Sequence, residues 1–149
     1  GARLVTDYRR LNKCIKPLSF PMATNKSVFD AIGGHSYYSL IDISDAFTSI
    51  ELTPRASERC SIVTPFGVFR PKRTPFGLKT SPSAFLFALS KSIADLPYVH
   101  NLMDDCVITA DSLEEMLERL KIFFTRLHQY NFKIQLSKIK LSGQNTLRL

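Results

Sequence analysis

The run Val99-His100-Asn101-Leu102-Met103-Asp104-Asp105-Cys106-Val107-Ile108 sets two adjacent acids inside β-prone apolar sequence. Upstream, Ser39-Leu40-Ile41-Asp42-Ile43-Ser44-Asp45-Ala46-Phe47 sets a third acid, Asp42, in similar surroundings. A carboxylate in such a segment is costly to bury unless something compensates its charge. Asp is also a common turn former, and an Asp-Asp pair at a hairpin tip can simply be solvated. If the two segments are neighbouring strands, the acids converge. Carboxylates about 4 Å apart repel by roughly 4 kcal/mol at an effective dielectric near 20, so such a cluster is poor architecture unless cations occupy it. Two divalent ions would turn that repulsion into coordination and support in-line phosphoryl transfer.

The rest of the composition narrows the partner. The chain of 149 residues suits one domain or a large piece of one, and 44% hydrophobic residues suffice for a core. A formal charge of +7 favours a polyanionic partner, nucleic acid first. Cys14, Cys60 and Cys106 lie far apart with no zinc-type spacing, and His35, His100 and His128 form no cluster. The thiols read as reduced, in an intracellular protein. No apolar run approaches the roughly 18 residues of a membrane span, and no membrane partner is expected.

Periodicity predicts a mixed α+β chain. Residues 3–7, 37–43, 59–64, 68–73, 98–103, 106–110 and 132–136 read as strands, with turns at 65–67 and at Asp104-Asp105. Residues 25–32 and 81–94 read as helices, the first closed by Gly33-Gly34 and the second opened by a Ser81 cap with Pro82 at the first helical position. Residues 45–50 allow one helical turn. Ser112-x-x-Glu115 is a capping box, and behind it Leu113, Met116, Leu117, Leu120, Phe123, Phe124 and Leu127 form a core-facing stripe. Antiparallel pairing around the double Asp, with helices on one face of the sheet, is the expected arrangement.

Five segments in order resemble the reverse transcriptases of retroviruses and LTR retrotransposons, gypsy-type elements most of all. They are Arg3-Leu4-Val5-Thr6-Asp7-Tyr8-Arg9-Arg10-Leu11-Asn12, the Asp42 segment, Thr74-Pro75-Phe76-Gly77-Leu78-Lys79-Thr80-Ser81-Pro82-Ser83-Ala84-Phe85, Leu102-Met103-Asp104-Asp105, and residues 132–138 with Lys138. The resemblance implies a right-hand polymerase palm with part of the fingers, an antiparallel sheet packed on helices. It assigns about 1–35 and 55–80 to fingers and about 36–54 and 81–149 to palm, and implies that thumb, connection and RNase H regions are absent from this segment of a Pol polyprotein.

Carried over residue by residue, the resemblance implies that Asp42, Asp104 and Asp105, with the Ile43 carbonyl, hold two Mg2+ ions, which Mn2+ could replace. Arg3, Asp45, Ala46, Phe47, Phe76, Gly77 and Met103 would meet the incoming dNTP. Leu102, Arg9, Asn12, Lys79 and Pro82 would lie along template and primer, and Lys138 would donate a proton to pyrophosphate. Phe47 would lie beneath the sugar, where a flat ring leaves no room for a 2′-hydroxyl and so favours DNA synthesis. The implied partners are an RNA or DNA template, a DNA or tRNA primer, dNTPs, and neighbouring protease, RNase H and integrase regions, in a cytoplasmic virus-like particle. The family usually has an aromatic residue where Leu102 stands, which keeps open a catalytically decayed nucleic-acid-binding relative. An RNA-dependent RNA polymerase palm shares the acid geometry, but Phe47 and the fingers segment argue against it. The segment by itself is expected to show weak activity or none.

Overall fold

Strands form where apolar residues alternate and helices where they recur every third or fourth position. The computed structural model describes residues 5–18, 20, 25–44, 46–102 and 105–142. In chain order its elements are α1 (Arg9–Cys14), α2 (Asn25–Ile32), β1 (Tyr37–Ser44), a 3₁₀ turn (Phe47–Ser49), α3 (Pro54–Arg59), β2 (Ile62–Thr64), β3 (Gly67–Phe69), α4 (Ser81–Ile93), β4 (Val99–Leu102), β5 (Asp105–Ala110), α5 (Leu113–Gln129), β6 (Lys133–Ile134), a second 3₁₀ turn (Leu136–Lys138) and β7 (Lys140–Ser142). They belong to two compact units: Gly1–Phe20 with Asp45–Ala88, and Pro21–Ser44 with Leu89–Leu149.

The second unit holds an antiparallel sheet ordered β4-β5-β1-β6, with β7 also pairing to β1. Ser39, Ile41 and Ile43 of β1 are buried while Tyr38, Leu40, Asp42 and Ser44 are half-exposed, the period of a strand with one closed face. On β5, Cys106 to Ala110 are all buried, so both faces of that strand are covered. Val28 and Ile32 of α2 pack on Val107, with Tyr38 and Leu40 beside them, and cover the half-open face of β1 at its Tyr37 end. α2 therefore lies on the face of the sheet that carries Leu40 and Val107.

α5 packs on β5 and β1. Its start follows from the capping box: Ser112 Oγ accepts from the Glu115 N–H at 3.1 Å, and Glu115 Oε2 reaches back to the Asp111 N–H at 2.8 Å. Met116, Leu120, Phe123 and Leu127 are buried, whereas Leu113 and Leu117 of the expected stripe are exposed. Leu117 stands one position off the line of Met116, Leu120, Phe123 and Leu127, whereas Leu113 continues that line but is the first residue of the helix.

In the first unit Tyr8, Cys60 and Leu78 form a small core, closed by Leu11, Ile15 and Leu52. The Tyr8 hydroxyl donates to the Cys60 carbonyl at 3.0 Å, and burial pushes its pKa up. Asn12 clamps the loop at Gly77: its Nδ2 donates to the Gly77 carbonyl at 2.8 Å, and its Oδ1 accepts from the Lys79 N–H at 2.9 Å. Gly77 has φ +93°, and a Cβ there would lie 3.2 Å from the Thr6 carbonyl oxygen.

Several sequence-based expectations shift. Residues 5–7 form no strand, and residue 3 lies outside the described residues. Arg59 ends α3, a helix opened by Thr53, whose hydroxyl accepts from Ala56 N–H at 3.3 Å, and by Pro54. The following hairpin is correspondingly short, Ile62–Thr64 against Gly67–Phe69. Ser81 donates its hydroxyl to the Pro75 carbonyl at 3.3 Å rather than capping α4. The strand expected over 132–136 shortens to β6, Lys133–Ile134; a 3₁₀ turn starts at Leu136, and β7 follows beyond the expected strand.

Phe123 is wholly buried and Leu117 is 57% exposed. Phe123→Ala is expected to cost about 3–5 kcal/mol in urea unfolding and Leu117→Ala less than about 0.5 kcal/mol; equal losses would refute this orientation of α5. Gly77→Ala is expected to lose on the order of 1–2 kcal/mol, read as a lower midpoint of thermal unfolding.

Candidate active site

The pairing of β1 with β5 runs from Tyr37↔Ala110 to Asp42↔Asp105, so the two acids are direct cross-strand partners. Cβ atoms of such partners lie about 4.5–5.5 Å apart on the same face of the sheet. The apolar neighbours that make these acids conspicuous point the other way: Ile41 and Cys106 are wholly buried and Ile43 nearly so. Asp42 and Asp105 are both half-exposed. The Cys106 thiol beside Asp105 is pushed up to about 12, by burial first and by the neighbouring carboxylate second.

β4 pairs with β5 from Val99↔Ile108 to Leu102↔Asp105. Asp105 therefore stands on a strand and not at a hairpin tip, since its backbone is engaged in the ladder. Met103 and Asp104 lie outside the described residues, as do Arg3 and Asp45 and the side chain of Leu102.

Asp42 and Asp105 line a concavity of about 380 Å³ together with Leu40, Lys138 and Lys140. Lys138 Nζ lies 2.7 Å from Asp42 Oδ2, with the two side chains 55% and 30% exposed. Lys140 is the cross-strand partner of Leu40 on β7. Sequence reasoning missed Lys140, although the alternation Lys138-Ile139-Lys140-Leu141-Ser142 signals a strand that presents one lysine beside the acids.

The donor set fits a hard divalent cation. Two carboxylates share one face, accessible to solvent, and oxygen ligands are what Mg2+ and Mn2+ take. An ammonium group already occupies a cation position against Asp42. Ile43 is buried and pairs with Ile134 of β6.

The expected nucleotide residues described in the first unit form a group of their own. Ala46 precedes the 3₁₀ turn, and its carbonyl accepts from Ser49 Oγ at 2.6 Å. The Phe47 ring meets Phe76 edge-on at 6.2 Å and Phe85 at 6.3 Å, so neighbouring rings fix its orientation. Asn12 holds Gly77 and Lys79 through the clamp described above, and Lys79 and Pro82 are exposed. Arg9 grips Asp7 with its guanidinium, 2.7 Å at the closest, and holds that carboxyl down at about 2.

A family model described as reverse transcriptase (RNA-dependent DNA polymerase) matches residues 1–148. A retrovirus-related Pol polyprotein from transposon 297 of Drosophila melanogaster is 31% identical over 138 residues, 91% of this chain and 13% of that protein. The chain thus spans a small part of the curated relative it matches. The native prototype foamy virus protease-reverse transcriptase shares the fold with a TM-score of 0.80 at 25% identity, over 99% of this chain and 20% of that one. A foamy viral protease-reverse transcriptase in complex with an RNA/DNA hybrid gives 0.80 at 21% identity, over 91% and 18%. The profile match over nearly every residue and the shared fold lead to one assignment: the chain belongs to the reverse transcriptase family.

Proposed function

We propose that this chain supplies the catalytic acids and nucleotide-facing residues of an RNA-directed DNA polymerase in a retrotransposon Pol polyprotein. The observation that carries this reading is the register Asp42↔Asp105 at the mouth of a cavity that also holds Lys138. Reverse transcriptases use divalent metal ions. In this chain Asp42 and Asp105, joined by Asp104, would hold them, with Mg2+ the natural choice for oxygen donors. When bound, the ions would activate the primer 3′-hydroxyl and neutralise the triphosphate and the leaving pyrophosphate.

The remaining work falls to the chain's own groups. Lys138 brings a proton-bearing ammonium to the rim of the acid site. Phe47, wedged against Phe76 and Phe85, presents a stiff wall where a sugar edge would pass, and stiffness is what steric exclusion requires. The exposed Lys79 and the net charge of +7 suit the phosphates of a template–primer duplex.

Primer extension tests the reading, using the complete reading frame that encodes this chain on an RNA template with a DNA primer in Mg2+ and then Mn2+. Asp42→Asn and Asp105→Asn are each expected to lower the rate by on the order of 10²–10³-fold or more; full activity in either would overturn the assignment. Recovery of an inactive parent by Leu102→Tyr would locate the defect at the primer contact. Tight template–primer binding with no extension in either form would mark a non-catalytic binding protein. In the same assay Phe47→Val is expected to reduce discrimination against ribonucleotides by about 10- to 200-fold, the range that small volume changes in a packed pocket produce. An unchanged ratio would remove Phe47 from the wall.

A further inference from the structure

Lys138 reaches Asp42 because the chain is threaded to put it there. On one edge of β1, β6 pairs with Ile43 and Ser44, and β7 pairs with Tyr38, Ser39 and Leu40. Between those two ladders the edge of β1 is left to Ile41 and Asp42, and residues 135–139 connect the two ladders there. The connection is fixed by backbone bonds: Gln135 N–H donates to the Asp42 carbonyl at 3.3 Å, Lys138 N–H to the Gln135 carbonyl at 2.9 Å, and Ile139 N–H to the Leu136 carbonyl at 3.3 Å. From that backbone the four-carbon stem of Lys138 carries its ammonium to 2.7 Å from Asp42 Oδ2. A surface lysine on a loose loop seldom holds such a pairing, because ordering the side chain offsets the gain. Here most of that ordering is done by the backbone.

We propose that Lys138 is the resident counter-cation of Asp42, which a divalent ion must displace, so that this lysine sets the affinity of the metal site. The inference rests on the polymerase reading above and adds a positioning role for Lys138 before any chemistry. Asp42 Oδ2 cannot serve a short ammonium hydrogen bond and a divalent ion together without placing like charges side by side. Lysine is well matched to this role, being a compact charge on a flexible stem that makes one replaceable bond, where a forked arginine would hold the carboxylate through two. Displacement leaves the ammonium beside the same cavity, near Lys140 and Asp105.

The test is Mn2+ titration of the whole chain without nucleotide or nucleic acid, following the free-ion signal by electron paramagnetic resonance. Lys138→Met and Lys138→Gln are each expected to bind Mn2+ about two- to fivefold more tightly than the wild type, the range that a partly exposed ion pair can withhold. The gain should vanish when Asp42→Asn is added to Lys138→Met. Lys138→Arg keeps the charge and is expected to bind no more tightly than the wild type. Unchanged or weaker binding in natively folded Lys138→Met and Lys138→Gln would overturn the role of Lys138 while leaving the polymerase reading intact. A gain in Lys138→Arg as large as in Lys138→Met would overturn it as well. A wild-type chain with no Mn2+ site sensitive to Asp105→Asn would remove the metal reading itself, and this inference with it.

Discussion

Asp42 and Asp105 face each other because Ile41 and Cys106 do. The hydrophobic pair lies wholly buried on one face of the sheet, and the carboxylates follow on the other, one residue along each strand. Side chains alternate with a period of two, so slipping β5 by one residue would bury the acid and expose the thiol. Apolar burial of roughly 25 cal/mol per Å² is thereby coupled to a pair of like charges that repel by about 3 kcal/mol at 5 Å and an effective dielectric of 20. The core holds the carboxylates together against their repulsion. The position of Lys138 is a response to the field that results.

The first unit solves a different problem, that of holding small groups still at the surface of a modest core. Asn12 uses both ends of its amide to fix the backbone of the Gly77 loop. Phe47, Phe76 and Phe85 hold one another edge-on, a geometry that the ring quadrupoles favour. Each arrangement replaces a flexible contact by a shared constraint between segments distant in sequence.

Long periodic elements were legible from the residues. β1, α2 and α4 appear within about a residue of their expected bounds, and the Ser112 box opens α5 as its spacing requires. Short elements were not. α1 carries no side-chain cap, and α3 carried the same Thr-Pro signal that was recognised as Ser-Pro before α4, but a competing strand pattern across Arg59 hid it. β7 is only three residues long, Lys140-Leu141-Ser142, and opens on lysine, a poor strand former. At the site, Asp42 and Asp105 stood out because charge in apolar sequence is costly. The Lys138 pairing did not, since it joins residues 96 positions apart and depends on where β6 ends and β7 begins. Lys140 became visible only once β7 was placed beside Leu40.

The two ladders that carry Lys138 are brief, two residue pairs for β6 and three for β7, whereas β1 and β5 share six. Local opening free energies scale with what is broken, so hydrogen exchange should divide this sheet into a protected centre and a labile margin. Asp42 and Asp105 close the long ladder, and Lys138 lies between the two short ones. The carboxylates are thus held by the long ladder, and the lysine by the few backbone bonds of the segment that joins the two short ones.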